Sequence, residues 1–350
     1  MNPCKACVRV LAVVALAAMA LVVIWFMFVF TIRPAQVNNL WSESPNLELR
    51  GHKDALECIR FSPSGERLLS TGNDGFVRVW DVSNGKLLHE YEIHKKATYV
   101  NHAEFLSEKE IVSCGEDGTI RKYNLETKAA SFVIRDMSVE VLSLSIIPKR
   151  SHIVSEGAAA LRIWSATSGQ LLQTVAEGVL TRSIVASATG DFVLAGRYDG
   201  YVQYWNLENN TTETVYDDTD NLSICLSPSH PVAYVGGGDG LIRVFEVKPL
   251  RISTVVRNVR KGSVYDLCFD RRGKNLLWCV NDNRSSEIVV FDVNNRKSLW
   301  KAVCQRGLIA SVAISPDGGM VAAAGHFGSM FFPEHVVYLW KVGVAQTNRE

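Results

Sequence analysis

Leu49-Arg50-Gly51-His52, Phe61-Ser62-Pro63-Ser64-Gly65, Leu68-Leu69-Ser70-Thr71-Gly72-Asn73-Asp74-Gly75 and Phe76-Val77-Arg78-Val79-Trp80-Asp81 form the stretch whose reading decides the fold. Apolar and polar side chains alternate through Phe76–Trp80, the period of a strand and not of a helix. Pro63 and Gly65 carry turn chemistry, one fixing φ and the other admitting positive φ. The unit reads as short strands separated by tight turns.

Its ending returns down the chain. An aromatic residue followed by a polar or charged one closes a strand at Trp80-Asp81, Tyr123-Asn124, Trp164-Ser165, Trp205-Asn206, Phe245-Glu246, Phe291-Asp292 and Trp340-Lys341, at intervals of 43, 41, 41, 40, 46 and 49 residues. That period with a terminal Trp-Asp is the spacing of a four-stranded propeller blade. The sequence therefore predicts an all-β, seven-bladed β-propeller over residues 46–343. First turns recur in register at Ser62-Pro63-Ser64-Gly65, Ser227-Pro228-Ser229 and Ser315-Pro316-Asp317-Gly318, with Asp270-Arg271-Arg272-Gly273 as a charged variant. Leu47-Glu48-Leu49 is an unclaimed strand before the first Gly-His, and it is expected to supply the outer strand of the last blade. A ring closed this way exposes only short edges.

The first unit resembles the WD-repeat family. The resemblance implies a buried tetrad of His52, Ser70, Asp74 and Trp80, and in the second repeat His94, Ser113 and Asp117 with Tyr123 replacing the Trp. A buried Asp needs its acceptors filled, and a His N–H, a Ser O–H and turn amides can fill them. Asp199 and Asp239 stand six residues before Trp205 and Phe245, but their repeats lack the His. The resemblance also implies a non-catalytic scaffold or adaptor that binds other proteins through its top face, built from second-to-third strand turns and the connections between blades. Expected contact residues there are Lys53, Asn73, Lys95, Lys96, Glu116 and Tyr198, with the Met330, Phe331 and Phe332 loop of the last blade.

A net charge of +1 gives no general electrostatic case for nucleic acid, so none is expected as a partner. Six cysteines between Cys58 and Cys304 fall in different strands, where thiols serve as small apolar fillers. Val10 to Ile32 contains no charge and is bracketed by Arg9 and Arg33. Twenty-three such residues are long enough for a bilayer core of about 30 Å. The expectation is one transmembrane helix at 10–32 acting as a signal-anchor, a tail at 1–9, a linker at 33–45 and a tail at 344–350. It makes the chain a single-pass endomembrane protein with its propeller facing the cytosol.

No His-Glu-x-x-His, phosphate-loop or Gly-x-Ser-x-Gly pattern occurs. No cofactor, metal, catalytic residue or small-molecule substrate is expected. Gly236-Gly237-Gly238-Asp239-Gly240 reads as a turn and not a nucleotide cradle. Arg271-Arg272-Gly273 is reminiscent of the lipid motif of phosphoinositide-binding propellers. The alternative function is a membrane-anchored guanine-nucleotide exchange factor for a small GTPase of the secretory pathway.

Overall fold

The computed structural model describes residues 40–94, 98–135, 140–157, 160–217, 219–257, 262–282, 285–329 and 332–342. Seven antiparallel sheets follow one another, each a meander of four strands in sequence order except the last. Blade one runs Leu56–Phe61, Arg67–Gly72, Phe76–Asp81 and Leu87–Glu92. The last blade takes Gly307–Ile314, Met320–Ser329 and Val336–Lys341 from the C-terminal end, and its outer strand is Leu47–Arg50. Leu47 pairs with Leu339 and Arg50 with Val336. The lead-in adds to this closure: Ser42 N–H donates to Val303 O at 2.8 Å, and Trp340 Nε1–H donates to Glu43 O at 3.0 Å.

Packing between blades follows from the strand pattern. Leu49, Leu56, Trp80, Val337 and Leu339 share one apolar cluster where the last blade meets the first. Leu69, Val77, Val100 and Ile111 share the next. Outer strands are the wet ones, as the largely exposed Leu171–Glu177 illustrates.

Inner strands would present unpaired edges to the central channel, and neighbouring blades satisfy them. Backbone N–H groups of Leu144, Ala186, Ile224, Leu267, Val312 and Ile59 donate to His102, Ser145, Ser183, Ser223, Asp266 and Ser311, each from the preceding blade. Between blades one and two the link is Cys58 Sγ to Ala103 O. This belt leaves few buried donors orphaned and fixes each blade against the next.

First-strand turns form a second ring on the opposite face. Gly190, at φ +79°, sits so close to Arg150 that a Cβ would lie 2.7 Å from its Cδ, and Gly273, at φ +66°, sits likewise on Ser229. Only glycine combines that backbone conformation with that approach. The span 10–32, both tails, linker residues 33–39, Lys95, Lys96, Met330 and Phe331 lie outside the described residues. Among the described residues no helix is long and apolar enough to cross a membrane. All six cysteines there are free thiols, and burial pushes Cys58 and Cys268 up to about 12.

Candidate functional site

In blade one His52, Ser70, Asp74 and Trp80 come together. Trp80 Nε1–H donates to Ser70 Oγ at 2.8 Å, and Ser70 Oγ lies 2.8 Å from His52 Nε2. With Ser70 donating to Nε2, the His52 proton sits on Nδ1 and is given to Asp74 at 3.0 Å. Asp74 also accepts Lys53 N–H at 2.9 Å and Arg78 Nη1 at 2.8 Å. Burial would raise this carboxyl, but the bond and charge of His52, with Lys53 and Arg78, hold it well below the usual carboxylate range. In blade two His94 bonds Asp117 at 2.8 Å and Ser113 at 3.0 Å, while the Tyr123 ring lies 5.5 Å from that of Tyr91. These histidines have both ring nitrogens engaged, a stabilising geometry.

One residue set escapes the sequence reading. Arg78, Arg121 and Arg243 each stand four residues after a turn Asp and two before the strand-closing aromatic, and each pairs with that Asp. The spacing Asp-x-x-x-Arg-x-aromatic was visible and carries the signal. In blade four the cation has moved: Arg197 holds Asp199 and donates to Gln203, and Asp199 is half exposed. Blade three keeps Ser155 and Trp164, bonded at 2.9 Å. In the last blade Phe332 falls in the short strand Phe332–Glu334, which pairs with the end of Met320–Ser329. There Phe327 fills the space under the hairpin, fully buried and edge-on to Tyr338 at 5.1 Å.

Glu156 is a buried carboxyl pushed up to about 8, mainly by burial and further by Glu140, with Thr181 offsetting part. An acid whose folded value is raised stabilises fully below its unfolded value near 4.3 and loses that advantage as pH rises through about 8. Glu156→Gln is therefore expected to gain on the order of 3 kcal/mol at pH 8 and little at pH 4. Paired denaturant melts at the two pH values check this, and an equal effect at both would contradict it.

Every blade repeats one irregularity. The pairing of first and second strands slips after one of the first three residues, between Leu56 and Cys58, Val100 and His102, Val141 and Ser143, Thr181 and Ser183, Asn221 and Ser223, Val264 and Asp266, and Ile309 and Ser311. Each slip is a β-bulge that leaves one residue outside the ladder and re-aims its side chain. Six of those places are held by Glu57, Asn101, Leu142, Arg182, Tyr265 and Ala310, which line a central cavity of about 280 Å³. Deeper in, one cation faces two carboxylates: Arg60 donates to Glu104 at 2.9 Å and lies 3.9 Å from Asp266, which also accepts Ser311 at 2.9 Å.

Around that mouth the top face is aromatic. Arg182 lies 5.7 Å from the ring centres of both Tyr198 and Tyr265. Tyr198 N–H bonds Leu180 O and Glu116 N–H bonds Tyr99 O, which puts these residues on one face. Leu180 is 62% exposed and Tyr99, Tyr198, Tyr265 and Leu308 are also exposed. Of the sequence-predicted contacts, Lys53, Glu116 and Tyr198 are exposed here, and Asn73 is half-buried. Tyr99, Leu180, Tyr265 and Leu308 went unread, although each immediately precedes an inner strand or lies within its first three residues.

Residues 43–81 and 85–124 match the family described as WD domain, G-beta repeat. A U3 small nucleolar RNA-associated protein 15 homolog from Xenopus tropicalis is 24% identical over 257 residues, 73% of this chain and 49% of that protein. The Periodic tryptophan protein 2 homolog of Caenorhabditis elegans is 24% identical over 213 residues, 60% of this chain and 23% of that one. WD repeat-containing protein 55 of Pongo abelii is 22% identical over 286 residues, 78% and 72%. The chain thus spans a quarter to a half of the length of the first two relatives.

These relatives correct the expected location. Single-pass endomembrane residence rested on the hydropathy of one run, whereas a matching relative is named for a small nucleolar RNA and no described residue forms a membrane-crossing helix. The expected absence of a nucleic-acid partner finds no support either.

Proposed function

We propose that the chain is a WD-repeat propeller protein and acts as a non-catalytic scaffold of an RNA–protein assembly, docking protein partners on its top face. The observation that carries this is the ring of seven register slips, which turns chemically unlike residues towards one mouth while the tetrads beneath stay internal. Exposed Tyr beside a stacked Arg is the composition of binding hot spots. Lys53, Glu116 and Tyr198 belong to the proposed contact surface. The RNA association in one relative's name supports the RNA–protein setting. Nucleotide exchange on a small GTPase has no comparable support. Domain limits of 46–343 for the propeller form part of the same proposal.

Tyr198→Ala with Tyr265→Ala and Leu180→Ser is expected to cut partner recovery in proximity labelling at least tenfold, since a central aromatic anchor contributes about 2 kcal/mol or more. Thermal stability should change little, because these side chains are exposed. Unchanged recovery of every partner would overturn the face assignment.

A further inference from the structure

The bottom face, made of first-to-second and third-to-fourth strand turns, holds two adjoining cavities that share Cys268 and Phe269. One, of about 330 Å³, opens at the channel mouth between Phe61, Phe105 and Pro316 and takes in Arg271. The other, of about 560 Å³, runs outward past Phe192, Pro228 and Pro231 to His230 and Lys248. Together they form a trough with an apolar floor. Lys248 Nζ stands 5.8 Å from the Phe192 ring centre, and the Tyr234 ring packs on Phe269 at 5.1 Å, near enough to Arg296 for its charge to act on the phenol.

Charge in this sector is mostly positive at the surface, four exposed cations standing against the exposed Asp317, whose carboxyl feels Arg272. Arg271, Arg272, Lys248 and Arg296 are exposed, and among the described residues none of them lies within 4 Å of a carboxylate. Two other acids here face inward. Asp270 is 1% exposed and accepts the amides of Lys274 and Asn275, and Asp292, 2% exposed, accepts those of Asn294 and Asn295. The turn bearing Arg271 and Arg272 is seated on the preceding blade through Gly273 against Ser229, so the two guanidiniums are carried on a fixed rim.

We propose that this trough binds single-stranded RNA, phosphates along the cationic rim and bases on the apolar floor. The inference deepens the RNA–protein reading above and rests on it. A nucleic-acid strand places charge along one edge and flat apolar faces along the other, which is the division the trough presents. An extended acidic peptide carries its side chains alternately on two sides. A bilayer surface meets the rim but not a concave floor.

The test is fluorescence anisotropy with a labelled polyuridylate of about 12 nucleotides, a length within the usual single-strand site range. Competitors are an RNA duplex, phosphatidylserine vesicles and a polyglutamate peptide. The full chain should prefer the single strand, and Arg271→Ala, Arg272→Ala and Arg296→Ala together should weaken it at least tenfold. They should also lower the slope of log affinity against log salt by about 2, from about 0.7 per lost phosphate contact. Pro228→Glu, an exposed change in the trough itself, should weaken binding independently with an unaltered melting temperature. Affinity unchanged in both variants, or tighter binding of vesicles or polyglutamate, overturns the proposal. Retained top-face partner recovery in that case would show that the trough assignment, not the scaffold reading, had failed.

Discussion

Asp74→Ala is expected to destabilise the propeller by about 3 kcal/mol, while the equivalent change Asp199→Ala costs under about 1 kcal/mol. The contrast comes from surroundings and not from the residue type. Removing Asp74 strips acceptors from His52, the Lys53 amide and Arg78, and the Arg78 side chain is 1% exposed. A buried cation that loses one of its two carboxylates is costly, since of the two only Glu90 remains. Asp199 has a side chain 50% exposed, and water replaces it on Arg197. The pH dependence has a defined sign. A carboxyl held below its unfolded value near 3.9 contributes fully above that pH and loses its contribution as pH falls through the folded value. The gap between wild type and Asp74→Ala should therefore be constant at neutral pH and close only in strong acid. Equilibrium denaturation of both variants checks this, and equal costs for Asp74 and Asp199 would contradict it.

Removing the closing strand has a larger expected effect. Without Leu47–Arg50 the strand Val336–Lys341 becomes an open edge, and its partners from Leu47↔Leu339 to Arg50↔Val336 vanish. Leu49, 1% exposed, also leaves the cluster it shares with Leu56, Trp80 and Val337. Deletion of residues 40–50 is expected to abolish the single cooperative melt and give aggregates on size exclusion. Leu49→Asp should cost about 4 kcal/mol by combining a lost apolar side chain with a buried carboxylate. A monomeric deletion variant with an unshifted melting temperature would show that the ring does not depend on its N-terminal strand.

The period, the turns and the closing strand were legible because each is local. An aromatic, a Gly and an alternation lie within ten residues of one another, as in Asn73–Trp80. The bulge ring was not legible. Leu56 pairs with Gly72 and Cys58 with Thr71, so the extra residue Glu57 shows only against a strand many positions away. The inter-blade belt was hidden for the same reason, since Ser311 serves Ile59 across the whole chain. In the last blade the eye went to Phe331 and Phe332, the clustered aromatics. Phe327 is buried because it continues the second strand towards Tyr338.

Hydrogen exchange of the full chain, alone and in a nuclease-treated complex with its captured protein partner, tests the central claim most directly. Protection is expected to rise in segments 98–101, 180–183, 196–200 and 263–266, which carry Tyr99, Leu180, Arg182, Tyr198 and Tyr265 on the top face. Protection confined to outer strands such as Leu171–Glu177, with those four segments unchanged, would contradict it.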